Sequence, residues 1–406
     1  MGVTFVIQFF TMGTGFYVFG VLLKPLTESL NADRFLVSLA LSCQTILAAL
    51  LGPIIGVAIS KYSIRLLMCT GSLLMSLGFY ALSHAQELWH LYVAFGVIVS
   101  AGVAMTGPLP NNALLANWFI RRRGTAMGIS QFGVTISGTI LVPATTWLVL
   151  EFGWRATVQL MSVTVPLILL PIILFLVIKT PEERGLLPDG APSANTDPEL
   201  GVSKEQWTMG RATRDRRVWL LTLIIGPSFM SITAILLSIH SHATDLGLTA
   251  MQASSVVAAM TFTGAIAKPL FGAMADHYNK RLVMAISLLL QIAGVTCIIL
   301  MQDYLGLILA GVVFGLGFGA VMPLWSILLG AIFGRHAFAR IMGFMTPLIM
   351  PFTLLGFPFA TFVFEQTGSY LPAYTALIGA FIVAGIALLF LQVPDSTAGN
   401  RSPPPV

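Results

Sequence analysis

Residues 52–68 read Gly-Pro-Ile-Ile-Gly-Val-Ala-Ile-Ser-Lys-Tyr-Ser-Ile-Arg-Leu-Leu-Met, and residues 268–284 read Lys-Pro-Leu-Phe-Gly-Ala-Met-Ala-Asp-His-Tyr-Asn-Lys-Arg-Leu-Val-Met. Sliding the chain by 216 residues superposes them, with proline, glycine, tyrosine, arginine, leucine and methionine in register. Almost the same offset sets residues 119–128, within Trp-Phe-Ile-Arg-Arg-Arg-Gly-Thr-Ala-Met-Gly, against residues 333–343, Phe-Gly-Arg-His-Ala-Phe-Ala-Arg-Ile-Met-Gly. The chain is therefore expected to be built from two parallel copies of one unit.

Outside the repeat, composition names the solvent. Of 406 residues 56% are hydrophobic and 9% charged, with a mean hydropathy of +0.89. A soluble domain usually carries about 25% charged residues, so a chain this apolar needs lipid. Apolar runs of about twenty residues place membrane helices near 3–23, 36–59, 64–84, 89–115, 125–149, 156–178, 218–240, 252–275, 282–301, 305–329, 341–364 and 372–391. The fold class is an all-α polytopic membrane protein, twelve transmembrane helices in two pseudo-symmetric six-helix bundles. The expected organisation is an N-terminal bundle over 1–178, a linker over 179–217 with Pro181, Pro188, Pro192 and Pro198, a C-terminal bundle over 218–393, and a disordered tail over 394–406.

Lys and Arg are retained on the cytoplasmic side of a membrane. They crowd the loops after even-numbered helices, where Lys61, Arg65, Arg121, Arg122 and Arg123 stand, whereas loops after odd-numbered helices hold only Lys24, Arg34 and Arg155. Both termini are thus expected to be cytoplasmic, and the short tails point to a cell inner membrane. The net charge of +5 follows from this bias and does not argue for nucleic acid. Met1 and Gly2 alone precede the first apolar run, with no signal-peptide pattern, and so short a lead points to a native start further upstream. Cys43, Cys69 and Cys297 fall singly in apolar segments and read as buried thiols with no metal or redox spacing.

Accounting for every charge isolates one residue. Among 21 Lys and Arg, only Lys268 falls deep inside a span, while all 16 Asp and Glu lie in loops or at helix ends. It sits about 12 Å inward from Asp276 along the helix, where a lysine costs about 2.5–3.5 kcal/mol on insertion scales. That depth rules out an end anchor, and an anionic substrate would supply the counter-charge. Thr261, Gly264 and Lys268 share a helix face at three- and four-residue spacing, suggesting room beside the amine. Pro269 removes a backbone donor and distorts the preceding turn. Gly311, Gly315, Gly317 and Gly319 read as a small-residue stripe for close helix contact, not a phosphate loop.

The stretch Gly272-Ala-Met-Ala-Asp276-His-Tyr-Asn-Lys-Arg281 resembles the loop motif of the major facilitator superfamily, a glycine, an acid and then basic residues. The resemblance implies a conformational latch carried by Gly272, Asp276 and Arg281, with Gly56 and Arg65 in the first-half copy, where Ser60 replaces the acid and weakens the latch. Within the superfamily the chain resembles the monocarboxylate transporter and oxalate/formate antiporter group. The supporting residues are Pro110-Asn111-Asn112, Asn117-Trp118-Phe119, Gly153-Trp154-Arg155, Thr180-Pro181-Glu182-Glu183-Arg184-Gly185-Leu186, Thr244-Asp245-Leu246-Gly247-Leu248 and Ala267-Lys268-Pro269.

That resemblance implies a carboxylate-binding role for Lys268, at a position where the group usually carries arginine. Lysine keeps the charge and loses the two-pronged fork. Proton-coupled members often carry an aspartate one turn earlier, and here Gly264 stands there. Oxalate exchangers hold a second basic residue in helix 11, and residues 341–364 contain none. One cation suits one carboxylate. The expected function is secondary transport of a monocarboxylate such as lactate or pyruvate, with proton coupling left open and Lys268 able to carry the proton itself. Oxalate/formate-type exchange and export of amphipathic compounds are the alternatives. Tyr17, Asn111, Asn112, Gln131 and Trp325 lie where this fold lines its cavity and complete the candidate site. His240 and His242 read as interfacial or capping groups. No nucleophile–base pair or metal cluster falls within the spans, so an enzyme is not expected, nor a cofactor. The partners are the small organic anion and the lipid bilayer, and a monomer is expected.

Overall fold

Two glycines decide how many times the chain crosses. The computed structural model describes residues 1–190 and 209–393, so the centre of the expected linker and the expected tail lie outside the described residues. Among the described residues ten helices are long and apolar enough to span a membrane, but two of them, Arg123–Leu176 and Tyr304–Thr367, run to 54 and 64 residues. At 1.5 Å per residue these reach about 80 Å and 96 Å, far beyond a hydrocarbon core of about 30 Å. Gly153, at φ +79°, breaks the first, and Gly334, at φ +72°, breaks the second. Such left-handed backbone is the region glycine enters without steric cost.

Twelve crossings result among the described residues: α1 (Gly2–Ser29), α2 (Arg34–Lys61), α3 (Ile64–Ser83), α4 (Leu88–Trp118), α5 (123–152), α6 (154–176), α7 (Arg216–Asp245), α8 (Ala250–His277), α9 (Lys280–Leu300), α10 (304–333), α11 (335–367) and α12 (Leu371–Phe390). No strand occurs among the described residues.

The repeat read from sequence is also a repeat of conformation. Tyr62 ends α2 at φ −113°, ψ 176°, and Tyr278 ends α8 at φ −110°, ψ 167°. Each tyrosine N–H closes the last turn at 2.8 Å, Tyr62 onto Ala58 O and Tyr278 onto Met274 O. Arg65, at the start of α3, donates from Nε to Val177 O just past α6 (2.9 Å), and Arg281, at the start of α9, donates from Nη2 to Leu389 O in α12 (2.5 Å). The helix crossings match as well. In the first copy α3 meets α4 where Gly71 and Gly102 face each other's carbonyls; in the second, Ser287 of α9 donates to Gly317 O of α10 at 2.8 Å.

The molecule divides into two compact units. The first comprises Met1–Arg214 with Arg335–Pro351, and the second Asp215–Gly334 with the chain from Phe352 onward. The first part of α11 thus packs within the first unit. The start of the linker is tied to the first unit by backbone-directed bonds, with Trp118 Nε1 donating to Ile178 O (2.8 Å) and Asn117 Nδ2 to Lys179 O (3.1 Å). Of the three cysteines only Cys69 is buried; Cys297 is half-buried, and Cys43 lies on an exposed face of α2, where an apolar side chain meets lipid at no cost.

Candidate functional site

Within the second unit, α8 carries Lys268 about 27 Å from Ala250 and about 14 Å from His277. The side chain is half-buried, and Pro269 follows within the unbroken helix. Because Pro269 has no N–H, the carbonyl of Ala265 loses its ordinary partner in the turn that presents the amine.

The space beside Gly264 expected from sequence is filled. A Cβ added there would lie 2.6 Å from Cζ of Phe318, and the Gly319 backbone of α10 crosses directly over the Gly264 carbonyl. The contact is one rung of a ladder. Gly311, Gly315 and Gly319 of α10 stand against the carbonyls of Val256, Met260 and Gly264 of α8, each pair one turn from the last. Lys268 is the next position on that α8 stripe. Three of the four glycines of the expected stripe therefore form it, Gly317 facing Gln291 of α9 instead, and its role is close contact rather than room for a ligand.

Trp325 of α10 is buried at 5% exposure, packed edge-to-face on Phe229 of α7 with centroids 5.8 Å apart, and its Nε1 has no hydrogen-bond partner. A buried indole donor without a partner costs free energy unless something accepts from it. Nearby sequence reasoning missed a second polar group in this unit. Gln291 of α9 accepts from Ser231 of α7 (3.4 Å) and donates to Ser287 O (3.4 Å), and the buried Ser228 hydroxyl has no partner. His242 is buried, edge-to-face with Tyr370 and Tyr374 at 6.2 Å and 5.5 Å, so it packs in the interior instead of capping α7 from outside.

In the first unit, Gln131 of α5 donates from Nε2 to Asn112 Oδ1 of α4 at 3.4 Å, and both are fully buried. Gln8 of α1 joins this level by donating to Ser130 Oγ at 2.5 Å. Gln8 was not singled out from sequence, although a glutamine inside the first apolar run was the available signal. Asn111 plays a different part. Pro110 cannot donate to Thr106 O, and Gly107 leaves the helical region at ψ −148°. Asn111 Nδ2 supplies the missing bond to Thr106 O at 2.6 Å and adds one at 2.7 Å to Gly107 O, which also accepts the Asn111 backbone N–H at 3.4 Å. Tyr17 closes a π-helical stretch, Gly13–Tyr17, with its ring over Gly138 of α5. Such wide turns concentrate at functional sites.

The proposed latch residues are placed as follows. Gly56 abuts the backbone of Ala339, and Gly52 that of Gly343, so α2 and the start of α11 meet with no side chain between them. Ser60 accepts from Arg340 Nε at 2.8 Å while donating to Val57 O at 2.7 Å. Arg335 pairs with Glu182 at 2.7 Å. Arg65 and Arg281 each bond a backbone carbonyl within their own unit, as described above, and Gly272 and Asp276 lie on the last turns of α8, buried and half-buried respectively.

Comparison with known proteins agrees with this architecture. The family model described as Major Facilitator Superfamily matches residues 5–242 and 218–405. Human monocarboxylate transporter 2 is 25% identical over 362 residues, covering 84% of this chain and 73% of the relative. Monocarboxylate transporter 13 of Bos taurus is 26% identical over 343 residues, covering 83% and 76%. Among solved structures, the E. coli fucose:proton symporter FucP aligns with a TM-score of 0.71 at 16% identity, over 96% of this chain and 98% of that one. The human organic anion transporter MFSD10 aligns with a TM-score of 0.73, also at 16% identity, over 95% and 98%.

Proposed function

Because the chain belongs to the major facilitator superfamily, we propose that it is a secondary transporter of small organic anions, foremost monocarboxylates of the lactate or pyruvate class, working by alternating access. The observation that carries the reading is Lys268, a cationic side chain set in the interior of α8 beside a proline, far from either helix end. A charge at that depth is costly and marks a substrate or ion path. The curated relatives described above are named as monocarboxylate transporters, which supports the same class of ligand.

In this reading the Lys268 ammonium pairs with the substrate carboxylate. A point charge of this kind suits a single carboxylate without demanding the planar register of a guanidinium. Trp325 offers its unpartnered Nε1 and its ring to the remainder of the acid. Tyr17, Asn112 and Gln131 are the further proposed polar contacts, with Asn111 holding the backbone of α4. Where protons are co-transported, Lys268 carries the proton, neutral when empty and protonated with the anion bound. The positive-inside distribution of Lys and Arg supports cytoplasmic termini in this reading, with the protein in a cell inner membrane.

The test is uptake of radiolabelled lactate, pyruvate, formate and oxalate into liposomes under an inward pH gradient, with wild type beside Lys268→Gln and Lys268→Arg. Accumulation of a monocarboxylate that Lys268→Gln abolishes and Lys268→Arg partly keeps is the expected result. Wild-type transport by Lys268→Gln would overturn the assignment, and a rate indifferent to pH would remove proton coupling alone.

A further inference from the structure

At the junction of α2 and α3 the first unit opens a cavity of about 270 Å3, lined by Lys61, Tyr62, Ser63, Ile64, Arg65, Val177, Lys179 and Glu183. Three of these residues are cationic and one is acidic. None belongs to the transport path proposed above, which lies within the spans. We propose that this cleft binds the phosphate of an anionic phospholipid.

The cations are held in place by the fold. Arg65 spends one donor on Val177 O at 2.9 Å, and Lys179 donates from Nζ to Tyr62 O at 3.2 Å. The two bonds cross the cleft in opposite senses and fix the end of α6 to the start of α3. A guanidinium has five N–H donors and an ammonium three, so each keeps donors beyond these bonds. Lys61 closes the third side from the last turn of α2, and it is exposed. The cleft also contains the start of α3, where Ser63 makes no side-chain cap bond. The first backbone N–H groups of that helix therefore add partial positive charge to the three side chains.

What favours a lipid over a soluble anion is the surface beside the cleft. Leu66, adjacent to Arg65, is 67% exposed, and Leu73, Leu77 and Tyr80 continue the exposed stripe along α3. These positions recur at helical spacing on one face, so they make a lipid-facing track leading away from the charges. Across the cleft Phe175 and Leu176 of α6 are exposed as well. Tyr62, exposed at the mouth, is an aromatic of the kind enriched at headgroup level. A headgroup in the cleft would thus have acyl chains on an apolar surface already turned to the bilayer. The positive-inside reading puts this end in the cytoplasmic leaflet, where anionic lipids attract basic groups.

Glu183 opposes the ligand, which gives the test two directions. Lipid retention by the detergent-purified protein is measured by native mass spectrometry with phosphatidylglycerol, with phosphatidylcholine, and with inorganic phosphate as competitor. Wild type should retain phosphatidylglycerol preferentially. Lys61→Gln and Lys179→Gln should each weaken retention about fivefold, the effect of removing one basic residue near an anionic surface, and Glu183→Gln should strengthen it. Lys61 makes no bond across the cleft, so its variant isolates binding from the staple that Arg65 and Lys179 maintain. Equal retention of the two lipids, or variants that leave it unchanged, would overturn the proposal. Displacement by millimolar inorganic phosphate, without lipid preference, would assign the cleft to a soluble phosphate and overturn the lipid source.

Discussion

Ser60 and Arg340 meet at 2.8 Å, the arginine Nε donating to a hydroxyl that stands where the second copy of the repeat has Asp276. The serine at this position is bound to its cationic neighbour through a charge-assisted hydrogen bond. A bond of that type contributes about 1.5–3 kcal/mol when well ordered. Ser60→Ala should release residues 335–351, and Ser60→Asp should hold them more firmly. Hydrogen exchange over that segment, faster in the first variant and slower in the second, checks this; equal exchange in all three proteins would show that the bond does not restrain the segment.

The neighbouring pair of Arg335 and Glu182 responds to pH. Burial pushes the Glu182 carboxyl up, but its backbone hydrogen bond and the Arg335 guanidinium together outweigh this and hold it below the usual carboxylate range. A group whose folded value is depressed contributes stability above its unfolded value, about 4.3 for glutamate, and loses it as pH falls through the folded value. The melting-temperature difference between wild type and Glu182→Gln should therefore be constant above about pH 5 and shrink in stronger acid. A difference that grew on acidification would contradict the pairing.

Asn111 and Gln131 should separate in their effects. Asn111→Ala leaves the Thr106 carbonyl without a donor inside the first unit, while Gly107 O keeps only the backbone N–H of residue 111 at 3.4 Å, and a buried orphan costs about 1–3 kcal/mol. The expected outcome is a lowered melting temperature, with KM unchanged in whatever protein still folds. Gln131→Ala should instead raise KM with a smaller thermal effect. The reverse pattern would exchange the two roles.

Gly319→Ala adds a methyl group where α10 crosses the Gly264 backbone. Overpacking of this kind costs about 1–3 kcal/mol, and the two helices can relieve it only by moving apart. Thermal unfolding should show the loss, and uptake should fall although no charge or polar group has changed. Gly311→Ala, where the added Cβ would sit 3.3 Å from Val256 O, should be milder.

The fold was legible because its signals are local. Apolar runs of span length located most helix ends to within a few residues, missing the end of α1, the end of α7 and the start of α11 by five or six, and the shared tyrosine, arginine and glycine of the two junctions announced the repeat. Lys268 stood out for the same reason, since a lone cation in an apolar run is visible without any partner. What escaped depends on which helix lies opposite. Gly264 signals absent volume but does not say that Phe318 occupies it, and Arg281 signals charge but does not reveal the Leu389 carbonyl. Asn111 could be read only as a buried amide until the break at Gly107 showed which backbone groups it serves. Gln8 belongs with Ser130 through a bond between residues 122 positions apart, beyond the reach of any local pattern.

The ladder between α8 and α10 bears on how variants of this protein should be interpreted. Where two helices meet carbonyl against glycine, no layer of side chains exists to absorb small changes, so the pair tolerates few neutral substitutions. The height of Lys268 in the bilayer is then set by residues on another helix. A transport defect that maps to Gly315 or Gly319 would not identify a ligand contact; it would report a displaced lysine, and a compensating change should be sought on α8 rather than in the substrate.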